Sequence, residues 1–236
     1  NESGNTSFGI QCMTGSGVLD PNYYPNLISK ILKTVKKLKD ELNIHMDYIS
    51  LGGGYGIPYT DEDSPLNFDN VFNNVAQNFN VFFESRHEAK PALWIEPGKS
   101  VVGDTGILLT RVTGKKDSYK SYIGVDAGME TLMRPALYGA YHRIYKVGDP
   151  DALPSTKVDI TGRICENTDR LAKDRLFPEV NEGDLLAVMD AGAYGFTMSN
   201  QFCTRPKVAE IFLAGEKPTL IRRRETIKDI LRSCDV

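Results

Sequence analysis

Three glycine strings in roughly the first hundred residues each follow a short apolar run: Met13-Thr14-Gly15-Ser16-Gly17, Leu51-Gly52-Gly53-Gly54-Tyr55-Gly56 and Glu96-Pro97-Gly98-Lys99. A chain that repeatedly closes an apolar run with a glycine turn, and fills the intervals with helix-length segments, is confined to an alternation of strands and helices. In the first interval Ile28, Ile31, Leu32, Val35, Leu38 and Leu42 recur at three- and four-residue spacing, which predicts a helix over 22–42 with lysines on its outer face. A strand is expected at 46–51, a second helix over 68–83 and another strand at 92–95. Loops at the C-terminal ends of such strands are where a (β/α) layer carries its chemistry. About three β/α units fit in residues 1–107, too few to close an eight-stranded barrel, so a partial (β/α) barrel is expected there.

From Leu108 onward the period changes. Short alternating or β-branched runs at 108–112, 121–125, 157–162, 184–188, 209–213 and 218–222 are separated by turn residues, and Asn181-Glu182-Gly183-Asp184 is a tight turn before a strand. This predicts an all-β domain over 108–236, for a fold class of α/β plus all-β. The formal net charge of −3 argues against a nucleic-acid partner. Arg222-Arg223-Arg224 reads as a solvated or ion-paired strand end. No apolar run reaches roughly 18 residues, so no membrane partner is expected. The polar N-terminus as given lacks a signal core. Four dispersed cysteines with no CxxC pair suggest neither a zinc ribbon nor a disulfide framework, and reduced thiols in a cytoplasmic setting fit them. No metal site or serine-type triad is supported, and the lone histidines His45, His87 and His142 read as surface or helix-end groups.

Several residues suit a charged ligand, each with a plainer alternative. The triple glycine lets backbone N–H groups approach a phosphate, or is simply a turn. Glu96, at a strand end before Pro97, aims a carboxylate rigidly, or is a helix N-terminal acid. Arg134 and Tyr138, four apart, share a face if helical and suit a ligand carboxylate, or are a surface arginine and a packing tyrosine. Cys165 beside Glu166 suits proton donation at carbon, or is a small thiol with a capping acid. Tyr194 presents a hydroxyl to a ligand or lies in the core, and Asp190 organises the turn before it.

In their order and spacing, MTGSG, LGGGYG, EPGK, RPALYGAY, CENTD and DAGAYG resemble the fold-type III pyridoxal-phosphate-dependent decarboxylases, the diaminopimelate type most closely, from about Phe8 to the end of the sequence. CENTD favours that type over ornithine-type relatives, whose string usually begins Cys-Asp. The resemblance implies the C-terminal part of an alanine-racemase-like (β/α) barrel followed by a β-barrel or sandwich domain. It implies pyridoxal 5′-phosphate as cofactor, an amino-acid substrate, and a cytoplasmic homodimer with shared active sites that converts meso-diaminopimelate to L-lysine. By resemblance Ser16, Gly53, Gly54 and the backbone of Glu96, Pro97, Gly98 and Lys99 hold the cofactor phosphate, and Glu96 keeps the pyridine nitrogen protonated. Lys99, Arg134, Tyr138, Glu166 and Tyr194 bind substrate, Tyr194 also lying at the cofactor. Cys165 is the proton donor, contributed across the dimer interface, and Glu166 takes the distal amine.

The family's cofactor-linking lysine lies upstream of the MTGSG counterpart and nothing in the sequence given corresponds to it. The expectation is therefore a C-terminal portion, inactive by itself. Met13 stands where the family has a ring-stacking histidine, Lys99 where it usually has arginine, and Asn167 where it usually has serine or threonine. Two other readings stay open: a non-catalytic paralogue that binds a full-length partner, and a decarboxylase of another basic amino acid.

Overall fold

In the computed structural model, residues 4, 7–215 and 217–234 are described. The chain divides into two compact units, Asn1–Val101 and Val102–Val236. The first contains strand β1 (Gly9–Gln11), helix α1 (Tyr23–Leu42), strand β2 (Tyr48–Ser50), helix α2 (Phe68–Ser85) and strand β3 (Ala92–Trp94), with the short helix α3 (Lys99–Val102) at the division. Tyr24, Ile28, Ile31, Leu32 and Val35 form one stripe of α1, and Val71, Val75, Phe79 and Phe83 form one stripe of α2; all are buried with Ile49 and Leu51. The helical spacing of these apolar positions is what folds both helices onto one core. Asn67 caps α2 by accepting from the Asn70 N–H at 3.0 Å, and Asn43 ends α1 in a left-handed conformation (φ 52°). The strands pair in parallel in the order β1-β2-β3, so their C-terminal ends lie side by side.

The second unit contains β4 (Leu108–Asp117), β5 (Ser121–Val125), α4 (Arg134–Tyr138), β6 (Ile144–Lys146), β7 (Thr156–Thr161), β8 (Arg170–Phe177), β9 (Leu185–Val188), β10 (Glu210–Ala214), β11 (Lys217–Arg222) and α5 (Ile227–Ile230). Among the described residues β4 to β9 form a six-stranded mixed sheet in the order β6-β9-β4-β5-β7-β8, and β10 and β11 form a separate antiparallel hairpin. Strand β4 joins two halves of the sheet: Leu108 to Arg111 pair with β9, and Val112 to Asp117 pair with β5, with a register shift between Val112 and Gly114. Such an irregularity bends a strand and lets one element serve two partners. Val112, Ile123, Val125, Ile160, Leu171, Leu186 and Val188 fill the core.

Two of these strands were not expected. β6 has only three residues, and β8 (RLAKDRLF) carries charges that break the alternation on which strand recognition rests. No helix among the described residues is long and apolar enough to cross a membrane.

Ile49, in β2, is wholly buried against the α1 and α2 stripes, whereas Leu153 is 86% exposed. Ile49→Ala is expected to destabilise the protein by about 2–5 kcal/mol, and Leu153→Ala by less than about 0.5 kcal/mol, in urea unfolding followed by circular dichroism.

Candidate functional site

In the first unit the sheet's hydrogen bonding continues past the strand ends and locks the glycine loops together. Cys12 N–H donates to the Ser50 carbonyl (3.3 Å), Leu51 N–H to Trp94 (3.0 Å) and Glu96 N–H to Gly52 (2.9 Å). Val18 N–H donates to Gly54 and Gly56 N–H returns to Val18, both at 2.9 Å. Gly52 and Gly54 have φ of 67° and 90°, which favours glycine. A Cβ at Gly53 would lie 2.6 Å from the Glu96 carbonyl oxygen; at Gly52 or Gly54 it would strike the carbonyl of Cys12 or Gly15.

The missing Cβ atoms are thus used first by neighbouring loops. For an anion there remain the N–H groups: among the described residues those of Ser16, Gly53 and Gly54 donate to no protein acceptor. Tyr24, stacked on Tyr55, supports the loop by donating its hydroxyl to the Gly53 carbonyl at 3.1 Å; burial and Tyr23 push the Tyr24 hydroxyl up to about 12.

Glu96 is exposed but held. Its Oε1 accepts from Ser50 Oγ at 2.6 Å and its Oε2 from Gln11 Nε2 at 3.5 Å, so residues at the ends of all three strands fix one carboxylate. Burial, then the Glu96 charge, pushes the Cys12 thiol up. Lys99 is half-buried with Nζ 5.9 Å from the Tyr59 ring centroid and 3.5 Å from where a Gly17 Cβ would stand. Ser16, Gly53, Gly54, Glu96, Pro97, Gly98 and Lys99 therefore belong to one cluster of loops. Pro97 has no N–H to give. Met13 is exposed beside them.

In the second unit RPALY is helical, the condition under which Arg134 and Tyr138 share a face, but Arg134, which opens α4, has its side chain buried while Tyr138 is exposed. Its Nη1 lies 2.8 Å from His142 Nε2, and His142 Nδ1 lies 2.8 Å from the Met189 carbonyl. Arginine only donates, so Nε2 accepts and Nδ1 carries the proton given to Met189. His142 is fully buried, which corrects the expectation of a surface histidine. Burial lowers its pKa, with the positive charges of Arg134 and Arg175 opposing protonation and Asp190 favouring it. The histidine was missed because the eight-residue separation from Arg134 closes only after Gly139 turns the chain in a left-handed conformation (φ 63°).

Asp190 is buried and ion-paired with Arg143 at 3.0 Å, and has φ 60°. Tyr194 has φ 59° and is exposed; a bulky residue in this region is held there by its surroundings. Ala191 N–H donates to Gly106 and Gly192 N–H to Gly103, which fixes the loop.

Cys165 and Glu166 lie in the turn between β7 and β8. Buried Asp169 organises it: Oδ1 accepts from Met129 N–H (2.7 Å) and Oδ2 from Ile164 N–H (3.0 Å). Glu166 Oε1 accepts from the N–H and hydroxyl of Thr168 at 3.1 and 3.0 Å, which lowers the acid's pKa and keeps it charged. Cys165 is exposed, with Sγ 4.0 Å from Cys203 Sγ.

A family model described as "Pyridoxal-dependent decarboxylase, C-terminal sheet domain" matches residues 18–192. Diaminopimelate decarboxylase of Methanothermobacter thermautotrophicus is 41% identical over 97% of this chain and 53% of that protein. The crystal structure of diaminopimelate decarboxylase from M. jannaschii is 32% identical, with a TM-score of 0.86 over 96% of this chain and 51% of that one. A structure of that enzyme in co-complex with L-lysine superposes with a TM-score of 0.84 at 32% identity, over 96% of this chain and 51% of that one. The chain spans about half the length of the curated relatives it matches.

His142 generates a pH dependence. An unfolded histidine binds its proton as pH falls through about 6.5, whereas His142 in the fold stays neutral to lower pH. Its contribution is present above that value and lost as pH falls toward the folded pKa. Thermal unfolding between pH 7 and 5 is expected to show a steeper loss of stability for the wild-type chain than for His142→Gln.

Proposed function

Because the chain belongs to the pyridoxal-dependent decarboxylases, we propose that it serves the decarboxylation of meso-diaminopimelate to L-lysine in the protein that carries it. The observation that carries this reading is the loop cluster at the ends of β1, β2 and β3, where N–H groups without protein acceptors stand with a carboxylate fixed by Ser50 and Gln11. Pyridoxal 5′-phosphate, when bound, supplies a protonated ring that accepts the electron pair released when the α-carboxylate leaves.

The chain's own residues do the rest. The Ser16 hydroxyl and the N–H groups of Gly53, Gly54, Gly98 and Lys99 hold the phosphate, with Pro97 shaping the turn and Lys99 adding positive charge. Glu96, held in place, keeps a proton at the pyridine nitrogen. Arg134, oriented by His142, and Tyr138 bind the substrate carboxylate, and Lys99 adds a point charge where a fork is usual. Glu166, kept ionised by Thr168, takes the distal ammonium. Cys165 delivers a proton to the α-carbon. Tyr194 sets its hydroxyl at the cofactor.

We further assign residues 1–107 to part of an alanine-racemase-like (β/α) barrel that binds cofactor. Residues 108–236 are assigned to a β-barrel or sandwich domain carrying substrate and dimer-interface residues. In the cytoplasmic homodimer proposed, Cys165 and Glu166 act in the partner's site. The relatives named as diaminopimelate decarboxylases and the L-lysine complex of one of them support this reading.

The test is L-lysine formation from meso-diaminopimelate by the holo protein, with lysine, ornithine and arginine as competing substrates. Cys165→Ala is expected to reduce kcat by roughly 10²–10⁴ without weakening pyridoxal phosphate binding. Glu166→Gln is expected to raise KM about tenfold or more, since a charged hydrogen bond is lost. Preference for another amino acid, or full activity in Cys165→Ala, would reject the assignment.

A further inference from the structure

Cys165 and Cys203 are 38 residues apart in sequence, yet their sulfurs lie 4.0 Å apart. Both are exposed. Their approach is set by a shared support, the segment 128–130. On one side Arg163 Nε donates to Glu130 Oε1 (3.1 Å) and Asp169 takes the Met129 N–H, which ties down the turn carrying Cys165. On the other, Asn200 N–H donates to the Glu130 carbonyl at 2.9 Å, and Asn200 Oδ1 accepts from Phe202 N–H at 3.0 Å, which leads the chain into Cys203. Cys203 has φ 53°, a left-handed conformation uncommon for a side chain larger than glycine. Cys12 is differently placed: half-buried, with its thiol 3.8 Å from the Ser50 carbonyl.

A disulfide needs a sulfur separation of about 2.05 Å, so these sulfurs must close by roughly 2 Å, within reach of side-chain rotation at two exposed turns. We propose that Cys165 and Cys203 form a reversible disulfide when hydrogen peroxide oxidises the protein, and that this bridge shuts off the reaction by withdrawing the Cys165 thiol. The shut-off rests on the proton-donor role assigned to Cys165 above. In the first step one cysteine thiolate attacks a peroxide oxygen, the O–O bond breaks, and water leaves after protonation. The product is a sulfenic acid. In the second, the other cysteine sulfur attacks that sulfur, the S–O bond breaks and a second water leaves. Two thiols lose two protons and two electrons, and the peroxide is reduced to water. A dithiol reductant reverses the bridge by exchange.

Trypsin separates the two cysteines, placing Cys165 in residues 164–170 and Cys203 in residues 176–207, because Pro206 protects Arg205. The experiment treats the purified holo protein with one to a few equivalents of hydrogen peroxide. Remaining thiols are then alkylated and the digest is read by mass spectrometry with and without dithiothreitol. The expected result is a peptide pair joining 164–170 to 176–207 that dithiothreitol cleaves, with L-lysine formation lost and restored in parallel. In Cys203→Ser, and in Cys203→Ala as a second variant, peroxide is expected to carry Cys165 to higher acids, so that dithiothreitol restores little activity. Recovery of Cys165 fully alkylated after peroxide, or bridged instead to Cys12, Cys234 or a second chain, would overturn the proposal while leaving the donor role standing. A bridge formed with L-lysine formation undiminished would overturn the shut-off and the donor role together.

Discussion

No Cβ fits at Gly52, Gly53 or Gly54, and the first unit's functional geometry depends on that exclusion. Carbonyls of Cys12, Glu96 and Gly15 occupy the space a side chain would take. Parallel strands deliver their C-terminal ends at one level but do not by themselves bring the following loops into contact. Removing side chains at the crossing points lets backbone meet backbone, and the hydrogen bonds from Glu96 to Gly52 and between Val18 and Gly54 then close. Glu96 is a consequence: its backbone is pinned before its carboxylate reaches Ser50 and Gln11. These two contacts hold the carboxylate in one place, which the role proposed for Glu96 at the pyridine nitrogen needs.

The second unit solves an equivalent problem with buried charge. Asp169, Asp190 and Glu130 are each almost fully buried and each engaged: Asp169 by two backbone N–H groups, Asp190 by Arg143 and Glu130 by Arg163. Gly128 and Gly162 leave no room for a Cβ beside the Asp169 carboxylate. Desolvating a carboxylate is costly unless its lone pairs are satisfied, so Asp169 and Asp190 fix the loops that satisfy them, while Glu130 is held through Oε1 and leaves its Oε2 without a hydrogen-bond partner among the described residues. Cys165, Glu166 and Tyr194, the residues proposed above for chemistry, sit on loops ordered by these buried acids.

Much of this was legible beforehand. The stripes of α1 and α2 appear as three- and four-residue spacing, and β5 spans the alternating run at 121–125. The turn at 181–184 is closed by Asp184 N–H to Asn181, with Gly183 at φ 94°. The loop residues Ser16, Gly53, Gly54 and Glu96 were named from the family resemblance, since a glycine string after an apolar run reads equally as a plain turn. β8 was hidden because the charges of RLAKDRLF interrupt its alternation, Lys173 and Asp174 being exposed while Leu171 and Ala172 are buried.

The sequence by itself determined where the chain alternates strand and helix, where the period changes, and which family its strings match, since each is written in local spacing and residue type. Tertiary structure alone decided that the glycines serve loop contact before ligand contact, that His142 is buried against Arg134, and that Cys203 stands beside Cys165. Those facts depend on chain segments meeting across eight, thirty-eight or more residues. Burial and proximity at that range arise from packing, which local spacing does not encode.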